Sequence, residues 1–223
     1  RFSAGRFTEL SPDERSRLRT ALGRLGRAVT AVPSTDRHAR AVAIRNAWAA
    51  TRLEQSFAGS GSQGPRSLFA IRLRDSVMAE NTQWVLDQQG PGGRILVFAH
   101  NGHVWDVPMA FPAMGPATPM MGTRLRRALG RDLCVIGMAA VKYEGMGNVL
   151  GDLSSMENSF ARVVPPSHAL DLRTADRVPV VRALLHEPWI TRIHAWMQTI
   201  VPRQATDILF TLDRVTRSRR AEP

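Results

Sequence analysis

Three short, continuously apolar runs set among segments of helical periodicity constrain the fold of this chain more than any other feature. They are Arg94-Ile95-Leu96-Val97-Phe98-Ala99, Leu133 to Val141, and Asp207-Ile208-Leu209-Phe210-Thr211-Leu212. Each is rich in large aliphatic or β-branched residues and lacks the alternation of a strand with one face in water, so each reads as a strand covered on both faces. Ala169-Leu170-Asp171-Leu172 is a weaker fourth. Between them Thr123 to Leu129 and Arg177 to Leu185 carry helical patterns. Strands alternating with helices predict an α/β class, with a central, mostly parallel sheet flanked by helices and joined by right-handed crossovers. No internal repeat is present.

Ahead of the runs lies a helical section, residues 1–58. Ser11-Pro12-Asp13-Glu14 has the form of a capping box with proline at the first helical position, and Leu18, Leu22 and Leu25 follow at helical spacing. A second helix is expected from Thr35-Asp36 to about Phe57. Residues 59–65 are a loop by composition, and a long helix free of internal Gly and Pro runs from Leu68 to Gln89. On that helix Arg74, Met78, Asn81 and Val85 share a face. A cation and an amide among apolar residues either tie down neighbouring groups or line a polar pocket.

The 223 residues carry a formal charge of +11, which raises nucleic acid as a partner. Yet Lys142 is the only lysine, and the arginines are scattered along helices. The densest groups, Arg124-Leu125-Arg126-Arg127 and Arg217-Ser218-Arg219-Arg220, have no interleaved aromatics for base stacking, so both read as solvated faces and residues 219–223 as a frayed tail. The lone Cys134, in an apolar run, is expected to behave as a small buried hydrophobe. No stretch approaches the ~18 apolar residues of a membrane span, so a cytoplasmic protein with no membrane partner is expected. The chain opens on Arg1 rather than Met, and it is read as a piece of a longer protein.

Chemistry concentrates where the first apolar run ends, at His100-Asn101-Gly102-His103. Loops at the carboxyl ends of strands converge on the crevice of an open α/β sheet. Two imidazoles three residues apart can face one cavity, one as general acid or base and the other orienting a carbonyl or water. The pair could instead hold a metal or satisfy backbone groups. Asp106 is near in sequence, but nothing resembles a zinc-ligand quartet, so no metal or other cofactor is assigned. His38, His168, His186 and His194 have no such company and read as surface or capping residues. There is no G-x-S-x-G elbow; Ser76, Ser154 and Ser155 lie outside any strand-to-helix turn of that kind, and Gly145-Met146-Gly147 opens no dinucleotide-binding helix. A hydrolytic site here would use water as its nucleophile. Residues 59–65 and 105–119 could be lid or wall elements, and the second could equally be an ordinary packed loop.

Arg74-Asp75-x-x-Met78-Ala79-x-Asn81-x-x-Trp84, followed by a run ending in His100-Asn101-x-His103, resembles the hallmark of the erythromycin esterase family. Met121-Gly122 with Leu125, the strand from Leu133 towards Gly145, and Asp207 to Asp213 resemble it too, so that the likeness spans residues 66–218. The resemblance implies hydrolysis of a macrolide lactone or related bulky ester by histidine-activated water. It places His100, His103 and Arg74 in the catalytic set, with Asn101, Asn81 and Met78 in support. It also implies a second catalytic histidine and several acidic residues in an N-terminal half whose motifs are not found in this chain. The chain is therefore expected to be a partial domain, partnered by that missing half and by a small-molecule ester. The alternative is a metal- or haem-binding protein of the same fold that hydrolyses nothing.

Overall fold

A computed structural model describes residues 4–59, 65–111, 115–143, 155–163, 167–175, 177–193 and 196–216. Residues 60–64, Gly145 to Gly147, Ser154, His194 and the tail from Arg217 lie outside them. The chain divides into two compact units, residues 1–95 with 110–118, and residues 96–109 with 119–223.

The first unit is helical. It contains α1 (Ala4–Glu9), α2 (Pro12–Ala31), α3 (Arg37–Gly59) and α4 (Pro65–Gln88), with α1 and α2 against α3 and α3 against α4. The expected capping box is present with both of its hydrogen bonds, Glu14 N–H to Ser11 Oγ at 3.3 Å and Ser11 N–H to Glu14 Oε2 at 2.8 Å. Asp36 caps α3 by accepting the Ala39 N–H at 2.9 Å. Phe7, Ala47, Leu68, Ala70 and Ala79 are buried. Polar ties do much of the joining: Arg19 of α2 reaches buried Glu54 of α3 at 3.0 Å, and Arg45 of α3 donates through Nε to Asn81 Oδ1 of α4 at 2.7 Å. Arg72 on α4 donates to Thr118 Oγ1 at 3.0 Å, holding a two-stranded ribbon of β1 (Met109–Phe111) and β2 (Gly115–Thr118).

The second unit carries the main sheet. Its elements are α5 (Asn101–Val104), α6 (Met121–Leu129), β3 (Ile136–Tyr143), α7 (Met156–Val163), β4 (Ser167–Asp171), α8 (Leu172–Ala175), α9 (Pro179–His186), β5 (Trp189–Ile193), β6 (Trp196–Ile200), α10 (Pro202–Ala205) and β7 (Ile208–Val215). The α/β class stands. β3 and β7 run parallel, with Met138 beside Phe210 and Ala139 beside Thr211, and β4 adds antiparallel to β7 in the order β3-β7-β4. β5 and β6 form a separate antiparallel pair. On one face of the main sheet Ala139, Val141, Leu209 and Thr211 are buried; on the other Ile136, Met138 and Phe210 are exposed.

Two expectations need correction. Residues 94–99 form no regular element and pair with no strand among the described residues, and Leu96 and Phe98 are 90% and 88% exposed. Their composition suits a covered strand, but pairing needs a neighbouring edge that the described chain does not supply. Cys134 is exposed rather than buried, because β3 starts at Ile136 and residues 133–135 precede the regular pleat. No helix among the described residues is long and apolar enough to cross a membrane.

Candidate functional site: the α5 turn

His100 ends the apolar run and caps α5. Its backbone is extended, at φ −63° and ψ 147°, and its Nδ1 accepts the Gly102 N–H at 3.2 Å. An imidazole nitrogen thus takes the part usually played by a Ser or Asp oxygen at an N-cap. A ring nitrogen that accepts is unprotonated, so in the neutral form of this ring the proton sits on Nε2. His103 lies one turn further along, half-buried on the side of α5 that i, i+3 spacing shares with His100.

The turn is fixed to the sheet by the residue between them. Asn101 Oδ1 accepts the Met138 N–H at 3.1 Å, and its Nδ2 donates to the Met138 carbonyl in a short hydrogen bond. One side-chain amide therefore satisfies both backbone groups of Met138, as a neighbouring strand would.

Behind α5 the backbones come close. A Cβ built on Gly122, near the start of α6, would lie 2.0 Å from the Val104 carbonyl oxygen. Only glycine lets α6 rest directly on the last turn of α5. Trp105, 1% exposed, lies over Gly137, where a Cβ would meet the indole Nε1 at 2.7 Å. The segment after α5 is thus packed core at Trp105 and Met109, rather than a lid.

Asp106 completes the corner. Its N–H donates to the Ala205 carbonyl at 2.9 Å, and its carboxylate accepts from Arg126 Nε at 3.1 Å. Arg126 also donates to the Gly130 and Leu133 carbonyls at 2.8 and 2.7 Å and, through Nη2, to Asp207 at 2.5 Å. Asp207 Oδ2 accepts the Val135 N–H at 2.8 Å as well. One guanidinium therefore ties α6 to the entries of β3 and β7. Burial raises the Asp106 pKa, with Arg126 opposing. Arg126 had read as part of a solvated basic face; at 25% side-chain exposure and with these partners it is not one.

Elsewhere in this unit Glu157, on α7, is buried and accepts from the Thr191 hydroxyl at 2.5 Å and the Arg192 N–H at 3.2 Å. Burial pushes its carboxyl above its ordinary value, and these hydrogen bonds pull it back only in part. Among the described residues no three His, Cys, Asp or Glu side chains gather so as to hold a metal ion.

Of the residues singled out by sequence, His100, Asn101 and His103 come together on α5, in the second unit. Arg74, Met78 and Asn81 lie on α4, in the first. Asn81 Oδ1 is occupied by Arg45 Nε at 2.7 Å, Met78 is half-buried, and Arg74 is exposed with its Nε 3.9 Å from Asp75. Sequence reading named Gly122 and Asp207 only within family matches, Asp106 only as a neighbour of the histidines and Arg126 only within a basic group; it missed the corner they form. The available signal was that two acidic residues end or open apolar stretches, where an unpaired carboxylate would be costly. His38 and His186 are exposed and His168 is half-buried, all three away from the α5 turn in sequence.

A family model for erythromycin esterase matches residues 5–215. The chain belongs to the erythromycin esterase family. The protein YbfO of Bacillus subtilis (strain 168), named a hydrolase, is 33% identical over 144 residues, which are 61% of this chain and 30% of that one. An erythromycin esterase type II of Escherichia coli is 30% identical over 87 residues, 39% of this chain and 19% of that one. Among solved structures, a histidine-to-asparagine mutant of an erythromycin esterase in its open conformation aligns with a TM-score of 0.67 at 14% identity, covering 99% of this chain and 58% of that one. The family member described here thus spans little more than half of the solved esterase and matches a smaller share of the curated relatives.

Proposed function

We propose that this family member provides the α5 part of a hydrolase site that opens a macrolide lactone or a related bulky ester. The observation that carries the reading is the His100 hydrogen bond. With Nδ1 accepting from Gly102, a neutral ring carries its proton on Nε2, the form suited to donate to an ester carbonyl. Polarised in this way, the acyl carbon accepts water; the ester C–O bond then breaks to give a carboxylic acid and an alcohol. His103, one turn on, supports the water or the leaving oxygen. Arg74 enters through its motif, as the cation that stabilises the developing oxyanion. Asn101 holds the turn against β3, while Asn81 and Met78 support the face that carries Arg74.

In this reading the water is activated by imidazole, without a metal. The remaining catalytic groups come from an N-terminal half of the intact protein, and the exposed residues 96–98 together with the open face of the main sheet are apolar surfaces such a half would cover. The 223-residue chain alone is then expected to be inactive.

The test is lactone opening by the intact protein, followed by mass spectrometry. His100→Ala is expected to lower turnover by about 10²- to 10⁴-fold, the usual range for a lost proton-transfer or polarising group. Unchanged turnover would remove His100 from the mechanism.

A further inference from the structure

Beside the Arg126 corner, at the entries to β3 and β7, a cavity of about 700 Å³ opens, within the size range of small-molecule sites. No residue of α5 lines it. Its walls include four arginines, Arg126, Arg131, Arg173 and Arg203, and their situations differ.

Arg126 is engaged by two carboxylates and two carbonyls. Arg173 is held bidentately by Asp171, through Nε at 2.9 Å and Nη2 at 2.7 Å. That pairing lowers the Asp171 pKa to about 2, so the pair persists at neutral pH. Arg131 and Arg203 make no hydrogen bond or ion pair among the described residues. The carboxylates of the wall, Asp106 and Asp207, are already committed to Arg126.

Two uncompensated guanidinium groups facing one cavity set up a positive potential that a bound anion relieves. The planar guanidinium fork matches phosphate oxygens bidentately, and a ligand with several such oxygens can engage both forks. We propose that this cavity binds a small phosphate-bearing anion through Arg131 and Arg203. The proposal is independent of the ester-hydrolase reading.

Calorimetric titration of the full chain with inorganic pyrophosphate at fixed ionic strength tests it. One saturable site is expected. Arg131→Gln and Arg203→Gln should each weaken binding by about tenfold or more, the loss of one charge-assisted contact, with the double variant weaker still. Neither arginine is bonded to the fold, so the melting curves of the variants should match the parent. Arg127→Gln, an exposed α6 residue outside the cavity wall, should leave binding unchanged. The proposal is overturned by the absence of saturable binding, by undiminished affinity in the double variant, or by an equal loss in Arg127→Gln.

Discussion

The corner around Arg126 and the run from Leu96 to Phe98 belong to the same unit and are opposite in character. At the corner Arg126, Asp106 and Asp207 are bonded to one another and to nearby backbone, and the backbones of α5 and α6 meet at Gly122 without an intervening side chain. Along the run, large apolar side chains stand in water and the backbone pairs with no described strand. A region whose interactions close on themselves is specified by this chain alone. The other holds apolar surface whose burial requires something else, and each exposed side chain of that size forgoes about 1.5–3 kcal/mol of transfer free energy.

The contrast can be probed in order of expected effect. Gly122→Ala should be the most damaging, because the new methyl meets a backbone carbonyl that cannot rotate away. A loss of about 3 kcal/mol or more is expected in urea unfolding. A near-neutral result would mean that α5 and α6 are not held by that approach. Arg126→Ala comes next. It strands two carboxylates and two carbonyls, and since the corner is only partly buried the loss should be about 2–3 kcal/mol, below that of a fully buried pair. Comparing its midpoint with that of Asp106→Ala would show how far the corner behaves as one unit.

Leu96→Ser combined with Phe98→Ser should change the stability of the 223-residue chain by less than about 0.5 kcal/mol, as for exposed positions in general. The same pair in the intact protein should cost several times more if an N-terminal half covers the run. Equal effects in both would erase the contrast. The smallest effect concerns Glu157, which lies between the two extremes: one carboxylate oxygen is bonded by Thr191, while Oε2 is buried without a partner among the described residues. Because burial raises its folded-state pKa above the ordinary 4.5, the folded protein holds the proton more tightly than the unfolded chain. Its favourable contribution is present below that ordinary value and is lost as pH rises through the raised one. Glu157→Gln should flatten this decline in thermal unfolding from acid to neutral pH. A profile identical to the parent's would show that Glu157 titrates as it does in the unfolded chain.

How much of this could be read from sequence depended on whether the deciding interaction was local. The α2 capping box, the span of α4 and the helix after Gly122 follow from neighbours three or four residues apart. The main-sheet strands were visible as β3, β7 and the weaker β4, because apolar runs record burial directly. The same signal misled at residues 94–99: composition reports a preference for burial and cannot say whether a pairing edge is at hand. The β1–β2 ribbon and the β5–β6 hairpin went unread, being short and free of a clean period. At the candidate site, His100, Asn101 and His103 were legible as neighbours in sequence. Their support was not, because Asp106, Arg126 and Asp207 meet only after the chain has folded back over 81 residues.

Asn101 has a consequence beyond positioning two histidines. An exposed strand edge is a template on which another chain can polymerise, and proteins guard such edges with charges, bulges or covers. Among the described residues β3 ends the main sheet, and there Asn101 occupies the N–H and carbonyl of Met138 with its own amide. The residue that anchors the candidate site thus withholds from that edge one N–H and one carbonyl that an added strand would need.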